Sequence, residues 1–390
     1  MKSSGNKRKF VVIEMKNASS LIDPKKPITV AVLGSHSALE VCAGAKAMGF
    51  KTLVVCEKGR DSVYSQTYKT RKEGGRELGV VDDVLLLDKF SDILKKDAVS
   101  ALQKRNSVFV PHRSFQVYTN FNYDAIENDF AVPILGSRML LRAEERTQPR
   151  NQYYLMQKAG VRFPRQFKSA SEIDRLCIVK VSEAQRTFER SFFFASNAKD
   201  FEATAKEKIK RGEITKAALD QAVIEEFIIG VPVNFNYFYS PLSGRTEILG
   251  TDARRQTSID GFLRLPADLQ QKVSQFMTPS FEESGHYAVT ILESMVGQCQ
   301  EMGEKFAAAC QKEYAPGIIG PFALQCAVLP GPPKKVAVVF DVSMRMPGSP
   351  GIQFTPYTGY LYGEQMSAGK RLAYELQRAV KEKRLDEVLT

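Results

Sequence analysis

The sequence predicts an α/β domain with a parallel sheet, followed by an α+β region with antiparallel sheets. Two observations support this fold class. First, residues 28–57 read as a short β-branched run, a helix-spaced segment and a second apolar run, the β–α–β order that opens a parallel sheet. Second, strand-like segments dominate the chain after residue 150, which a plain doubly wound fold does not explain.

The individual elements follow from short apolar runs and helical spacing. Residues 1–27 are predicted to be a tail, and the parallel strands are predicted at 28–34, 51–57, 82–88 and 107–112, with a helix over 39–50. After a connection at 130–141, the predicted strands are 176–181, 191–196, 222–230, 233–241, 247–256, 321–330 and 335–346, and the predicted helices are 198–212, 284–314 and 365–382. We expect 176–181 to form a hairpin with 191–196, and 321–330 with 335–346.

Composition is typical of a globular protein and excludes several classes. Apolar residues make up 43% of the 390 positions and charged residues 25%, which provides a large core and argues against bulk disorder. No run approaches the ~20 apolar residues of a membrane span, and residues 1–10 lack the apolar region of a secretory signal. We therefore expect a cytoplasmic protein without a membrane partner.

The formal net charge of +11 favours an anionic partner. Nucleic acid and small polyanions such as nucleotides both fit that charge, but it is spread along the chain and no nucleic-acid-binding motif accompanies it. The six cysteines include no Cys-x-x-Cys pair and no neighbouring histidine, which argues against a zinc site and against a disulfide framework. We expect small-molecule partners, no nucleic acid and a reducing compartment.

Polar residues follow two strands of the predicted parallel sheet. Gly34, His36 and Ser37 come after the first strand, and Arg113 and Ser114 come after the fourth. The carboxyl ends of parallel strands meet at one edge, where ligands bind and where free N–H groups suit a phosphate. Ser37 as a helix cap and His36 as a solvated side chain are the alternative.

Three charged residues end later strands. Lys180 closes the apolar run CIVK, so it must pair with an anion or extend towards water. Glu225 and Glu226 end another strand, where carboxylates suit a ribose or an adenine amino group.

The late strand FDVSMRM carries a polar face. The two-residue period of a strand puts Asp341, Ser343 and Arg345 on one side, a combination that suits magnesium and phosphate. A polar stripe without a ligand is the alternative. His286 lacks such company, and we expect it to be a surface residue.

Several strings resemble one family in order and spacing. They include GSHSAL at 34–39, VPHRSF at 110–115, IEEFIIGVPV at 224–233, NYFYSP at 236–241 and FDVSMRM at 340–346. From about residue 28 onward, the chain is similar to the archaeal formate-dependent ligases that formylate aminoimidazole-carboxamide ribonucleotide (AICAR), the 5-formaminoimidazole-4-carboxamide ribonucleotide synthetases. The resemblance implies a three-layer pre-ATP-grasp domain over 28–130 and an ATP-grasp body over 131–390, with lobes at 131–230 and 231–390.

The same resemblance implies an activity in purine (IMP) biosynthesis. ATP phosphorylates formate to formyl phosphate, and the AICAR amine attacks it to release phosphate and form the formylated product (FAICAR). The implied ligands are ATP, Mg²⁺ or Mn²⁺, formate and AICAR, and the implied assembly is a homo-oligomer. The implied site residues are Lys180, Glu225, Glu226 and Ile228 for ATP; His36, Ser37, Ser114, Asn236 and Arg255 for the ribonucleotide; Asp341 and Gln325 for the metal; and Arg345 with His36 for catalysis.

Three positions depart from the family pattern. The loop at 182–190 contains no glycine where relatives carry a glycine-rich phosphate loop, Gln325 replaces a glutamate, and Arg113 replaces a glycine. An amide is a poorer magnesium ligand than a carboxylate, so slow turnover is expected. Two alternatives therefore stay open: an ATP-grasp ligase for another carboxylate and amine, and a paralogue that binds nucleotide with little catalysis.

Overall fold

A computed structural model describes residues 18–181, 192–277, 279–280 and 282–390. Its strands are β1 (Thr29–Leu33), β2 (Lys51–Glu57), β3 (Arg71–Glu73), β4 (Arg76–Leu78), β5 (Asp83–Leu87), β6 (Ser107–Val110), β7 (Gln166–Phe167), β8 (Cys177–Lys180), β9 (Phe192–Ala195), β10 (Val223–Glu226), β11 (Val231–Ser240), β12 (Arg245–Gln256), β13 (Glu283–Ala288), β14 (Gly320–Leu329) and β15 (Val336–Ser343). The helices are α1 (Ala38–Ala47), α2 (Lys96–Lys104), α3 (Arg113–Tyr118), α4 (Tyr123–Asn128), α5 (Leu140–Ala143), α6 (Gln152–Ala159), α7 (Ala198–Lys210), α8 (Lys216–Asp220), α9 (Ile259–Phe262), α10 (Ala267–Val273), α11 (Glu293–Glu313), α12 (Tyr357–Tyr362) and α13 (Ala368–Glu382).

The N-terminal sheet is parallel, with strand order β5-β2-β1-β6. Successive residues of the buried strand β1 face opposite layers. Val30 and Val32 pack in the cluster that includes α1 and α13, whereas Ala31 and Leu33 pack in the cluster that includes α2 and α4. A sheet covered on both faces explains why its strands are continuous apolar runs.

Two antiparallel sheets follow. The smaller one has strand order β7-β10-β8-β9 and packs on α7 and α8. The larger one has strand order β13-β12-β11-β14-β15 and packs on α6 and α11. Both predicted hairpins are present, as β8 with β9 and β14 with β15.

One predicted helix is partly wrong. The segment 284–314 was expected to be mainly helical, but it begins with β13, which pairs with β12, and α11 starts only at Glu293. The β-branched residues at 289–291 disfavour helix, and they separate the edge strand from the helix.

The chain crosses between its regions at several points. Ile134 forms a parallel bridge with Phe109 of β6, and Leu135 forms an antiparallel bridge with Leu389. Residues just beyond 130 therefore continue the N-terminal sheet, and the boundary between 130 and 131 stays a prediction.

All six cysteines are buried free thiols. This includes the four predicted to lie in apolar surroundings, Cys42, Cys56, Cys177 and Cys326. Across the described ranges, the helices are too short or too polar to span a bilayer.

Candidate active site

One cleft of about 840 Å³ collects side chains from all three larger sheets. Strand alternation accounts for part of this lining, such as Ile178 with Lys180 and Asn234 with Asn236, because every second side chain of a strand points to the same face. The N-terminal sheet contributes its loops, the smaller antiparallel sheet contributes one wall, and the larger one contributes the other. The residues that line the cleft include His36, Ser114, Ile178, Lys180, Phe194, Glu225, Glu226, Ile228, Asn234, Asn236, Arg254, Gln325, Asp341, Ser343 and Arg345.

His36 and Ser114 meet at the edge of the parallel sheet. The Ser114 hydroxyl donates to the Ser35 hydroxyl at 3.0 Å, which ties the two loops together. His36 holds a left-handed backbone conformation with φ +48°, which is costly for a residue with a side chain. Burial among the cleft walls and the nearby charge of Arg345 lower the pKa of His36, so its ring is neutral at pH 7.

Ser37 has a different position from the one expected. It is buried, and its hydroxyl donates to the carbonyl of Pro347 instead of capping α1. The His36 ring nitrogen Nδ1 lies 2.6 Å from the Ser37 hydroxyl oxygen. Ser37 therefore contacts the His36 ring on the side away from the cleft, and it does not line the cleft itself.

His112 orients the second loop. Its Nε2 lies 2.8 Å from the Leu33 carbonyl oxygen, so Nε2 carries the proton, and Nδ1 accepts from the Ser114 amide at 3.2 Å. Burial lowers the pKa of His112 to about 4. The neutral ring also stacks on His36 at 5.4 Å between centroids.

The ammonium group of Lys180, in the cleft wall, has two protein partners. It pairs with the Glu225 carboxylate and donates to the Phe340 carbonyl at 2.9 Å. Tyr153 donates its hydroxyl to the other oxygen of Glu225 at 2.7 Å. Burial and then the Glu225 charge raise the pKa of Tyr153 well above its usual value, which keeps that proton on the tyrosine. Glu225 lines the cleft but is only 1% exposed, and both of its carboxylate oxygens already have protein partners. Its expected contact with the nucleotide stays a prediction.

The segment between β10 and β11 lines an apolar part of the cleft. Phe227 contacts Phe194 edge-on at 4.8 Å between ring centroids, and Ile178 and Ile228 line the same part of the cleft. Glu226 lies at its rim, 3.3 Å from the Arg175 guanidinium. Aromatic and aliphatic side chains thus line this part of the cleft, with a carboxylate beside them.

Asp341 and Gln325 face each other across β14 and β15. The Asp341 carboxylate accepts from Arg146 at 2.7 Å. Burial alone would raise the pKa of Asp341, but the charges of Arg146, Lys180 and Arg254 lower it by more than burial raises it. The carboxylate is therefore ionised. The Gln325 side-chain oxygen is buried without a hydrogen-bond partner in the described structure.

The Asp341 carboxylate and the Gln325 amide oxygen are the groups that could bind a divalent cation here. Among the residues that the structure describes, no three His, Cys, Asp or Glu side chains are grouped for a metal. An orphaned amide oxygen beside one carboxylate matches a magnesium ion that takes its remaining ligands from water and substrate phosphates. The pair fits a metal that arrives with a nucleotide.

Glu144 organises the basic corner next to Asp341. It binds Arg345 at 3.2 Å and lies 3.5 Å from Arg113, and its second oxygen accepts from the Met344 amide at 3.0 Å. Two guanidinium groups are thus held at the mouth of the cleft, near His36.

His286 is not the surface residue that was expected. Its two ring nitrogens bind Asp252 and Glu283, each at 2.5 Å, while Asn234 and Asn236 donate to Asp252 at 2.8 and 2.6 Å. Burial lowers the pKa of His286, but the two carboxylates outweigh it and raise that pKa to about 9. Because β13 is a strand, His286 pairs with Arg254 of β12, and both face the cleft.

Arg255 differs from its expected place on the acceptor side. It is exposed and lines a separate, more open cavity of about 610 Å³ with Tyr287 and Arg264. Its neighbour Arg254 reaches the main cleft instead. Strand alternation separates the two arginines onto opposite faces of β12.

Sequence comparison places this arrangement in a family. Two family models match, one described as a protein of unknown function (DUF1246) over residues 30–167 and one as a domain of unknown function (DUF1297) over 200–390. A protein from Methanothermobacter thermautotrophicus is 38% identical over 94% of this chain and 95% of its own length. It is named 5-formaminoimidazole-4-carboxamide-1-(beta)-D-ribofuranosyl 5'-monophosphate synthetase, as is a protein from Methanocaldococcus jannaschii that is 35% identical over 94% of this chain and 96% of its own. This chain belongs to that synthetase family.

Solved structures agree with the family and the fold. An IMP biosynthesis protein PurP from Thermococcus kodakaraensis matches with a TM-score of 0.68 and 27% identity over 93% of this chain and all of that chain. The ADP complex of an N5-carboxyaminoimidazole ribonucleotide synthetase matches with a TM-score of 0.59 over 92% of this chain and 78% of that one, at 11% identity, which bears on fold alone. The predicted family and the ATP-grasp fold are confirmed.

Sequence reasoning missed several residues of the synthetase cleft. Glu144 and Arg146 line the cleft, and Tyr153 binds the cleft residue Glu225. All three lie in the α5–α6 region, where no strand period marks them. Arg254 and His286 could have been predicted from the two-residue period of a strand, had 283–288 been recognised as a strand paired with β12. The glycine-free loop at 182–190 lies outside the described residues.

Proposed function

We propose that this synthetase-family chain is an ATP-dependent ligase of IMP biosynthesis that formylates AICAR with formate. ATP would phosphorylate formate, and the AICAR amine would attack the formyl phosphate, giving FAICAR, ADP and phosphate. The supporting observation is one cleft that joins a lysine-bearing wall, an Asp341-bearing wall and the His36–Ser114 edge. The names of the relatives support the same reaction.

The nucleotide would lie between the two antiparallel sheets. Lys180 would contact its phosphates, with Glu225 and Tyr153 fixing the ammonium in place. Ile228 and the apolar part of the cleft would hold the base, and Glu226 at the rim would accept from a hydroxyl or amino group. Phosphoryl transfer depends on positioning and charge neutralisation, and a lysine held in place by Glu225 provides the positioning.

Asp341 and Gln325 would hold Mg²⁺ or Mn²⁺, which neutralises phosphate charge when bound. Their oxygens supply one negative and one neutral ligand from neighbouring strands. Because Gln325 brings no charge, the protein contributes less to metal binding than two carboxylates would.

The acceptor would lie at the other end of the cleft. Ser114 would donate to its phosphate, Asn236 would line its pocket, and the neutral ring of His36 would accept a hydrogen bond from the ligand. Arg345, held by Glu144, would neutralise charge on the departing phosphate. The carry-over of Ser37 and Arg255 into direct contacts is not supported by their positions.

Gln325 also keeps a second candidate open, a paralogue that binds nucleotide and ribonucleotide with little turnover. A ligase for another small carboxylate and amine would share the same cleft. A homo-oligomer and a cytoplasmic location belong to the proposal in the same way.

The test is to incubate the full chain with ATP, Mg²⁺, formate and AICAR and to measure ADP and FAICAR. The adjacent arginines of β12 supply a matched control. Loss of a charge-assisted contact costs about 1.5–3 kcal/mol, so we expect Arg254→Ala to lower kcat/KM by roughly 10- to 150-fold and Arg255→Ala to leave it near the native value. ADP without FAICAR would favour another acceptor, and nucleotide binding without ADP would favour the paralogue.

A further inference from the structure

The predicted metal ligand Asp341 already has a cationic partner. Its carboxylate binds Arg146 at 2.7 Å, and the two side chains are only 22% and 18% exposed. Lys180 lies close by, since it donates to the carbonyl of the preceding residue, Phe340. The one carboxylate offered to a metal is therefore neutralised before any metal arrives.

The opposing ligand adds no negative charge. Gln325 stands directly across from Asp341, and its buried side-chain oxygen lacks a hydrogen-bond partner in the described part of the chain. Arg254 is a further cation on the same cleft and is paired with Glu283 at 3.1 Å. A free divalent cation would meet one amide oxygen and one carboxylate whose charge Arg146 compensates directly, while Lys180 and Arg254 nearby are paired with Glu225 and Glu283. That site offers the ion no net negative charge, and the adjacent guanidinium of Arg146 repels it.

A nucleotide changes that balance. Its phosphates bring negative charge for the arginine and additional oxygen ligands for the metal. Arg146 can then exchange a carboxylate partner for a phosphate partner, since a guanidinium binds both in the same geometry. Asp341 is released to the metal in the same exchange.

We propose that Arg146 is a positioning residue that occupies Asp341 until nucleotide arrives, so that the chain excludes free divalent cations and accepts the metal only together with ATP. This inference rests on the proposed function for the identity of the nucleotide. Its central claim concerns metal binding by the chain alone, which is measured without turnover.

The test is a titration of the full chain with Mn²⁺ in the absence of nucleotide, read from the electron paramagnetic resonance signal of free Mn²⁺. We expect little binding by the native chain, and an affinity about ten-fold or more higher for Arg146→Gln, because a like charge next to the ligand is removed. Arg146→Lys should stay close to native. Adding Asp341→Asn to Arg146→Gln should abolish the gain.

The control is Arg150→Gln, an arginine near Arg146 in the chain that pairs with Glu313 outside the cleft. It should leave Mn²⁺ binding unchanged. Should Arg146→Gln fail to fold by circular dichroism, Arg146→Met decides the question, because it also removes the charge while keeping a long unbranched side chain, and it should raise nucleotide-free Mn²⁺ affinity by about ten-fold or more.

Tight Mn²⁺ binding by the native chain without nucleotide would overturn the inference. A folded Arg146→Gln chain with native-like Mn²⁺ affinity would do the same, and would leave Arg146 a structural tie between the α5–α6 region and β15. Absence of FAICAR formation alongside the expected Mn²⁺ pattern would instead count against the proposed function alone.

Discussion

The Lys180–Glu225 pair makes a sharp prediction, because it is buried and its partners are known. Glu225 is 1% exposed and accepts from both Lys180 and Tyr153. Replacing Glu225 by Gln keeps the shape and an oxygen for Tyr153, but removes the charge that compensates the lysine. Breaking a buried pair on one side costs about 3–5 kcal/mol, and the remaining Phe340 contact of Lys180 places the expected loss near the lower end, at about 3 kcal/mol.

The assay is denaturant unfolding of the nucleotide-free chain, followed by far-ultraviolet circular dichroism. A double variant, Glu225→Gln with Lys180→Met, should recover most of the lost stability, because the uncompensated charge is gone. Tyr153→Phe should cost about 1.5–3 kcal/mol through the lost bond to a charged acceptor. A Glu225→Gln chain within about 1 kcal/mol of native stability, or a double variant no better than the single one, would refute the reasoning.

Three further predictions concern single positions around the cleft. The pKa of His286 is raised from 6.5 to about 9, so its stabilising charge is fully present below pH 6.5 and is lost as pH rises through 9. The free energy of unfolding of the native chain should therefore fall between pH 6.5 and 9, whereas that of His286→Asn should not. A Cβ at Gly348 would lie 2.7 Å from the His36 ring, so Gly348→Ala should weaken AICAR binding measured by calorimetry and spare ATP binding. Gln325→Glu should raise the ATPase or ligase rate in steady-state assays, since it restores a carboxylate opposite Asp341.

The parallel sheet was predictable because its strands carry their own signal. A strand buried on both faces is apolar throughout, as in ITVAVLG, and no distant residue is needed to recognise it. The hairpin of β14 and β15 was predictable for a related reason, since two apolar runs flank a short Gly-Pro-Pro segment. The edge strand β13 lacks this signal, since it is mostly exposed and SGHYA reads as neither a strand nor a loop.

Site residues on strands could be predicted from the two-residue period. Residues whose partners are distant in the sequence could not. Asp341 and Ser343 alternate on β15 and both reach the cleft, as the two-residue period predicts. Arg146 and Glu144, by contrast, meet β15 and the loop that follows it across almost 200 residues. Nothing local in RAEERTQ marks those contacts, so only the folded chain shows that the predicted metal ligand has a cationic partner.

The two ends of the cleft are held in register by the C-terminal helix. Gly44 of α1 and Gly369 of α13 allow backbone contact, because a Cβ at either glycine would lie within 2.1–2.2 Å of the other helix. On its other side, α13 buries Arg371, which binds Glu247 of β12 at 2.8 Å and Glu375 at 2.9 Å. The Glu375 pair lies within α13, whereas the Glu247 pair joins α13 to β12. An uncompensated guanidinium in that position would be costly, so the helix cannot slide without breaking the Arg371–Glu247 pair. Since α1 follows the His36 loop and β12 carries Arg254, α13 connects the two ends of the cleft. If the proposed acceptor and nucleotide sites are correct, this packing would set the distance between the two substrates.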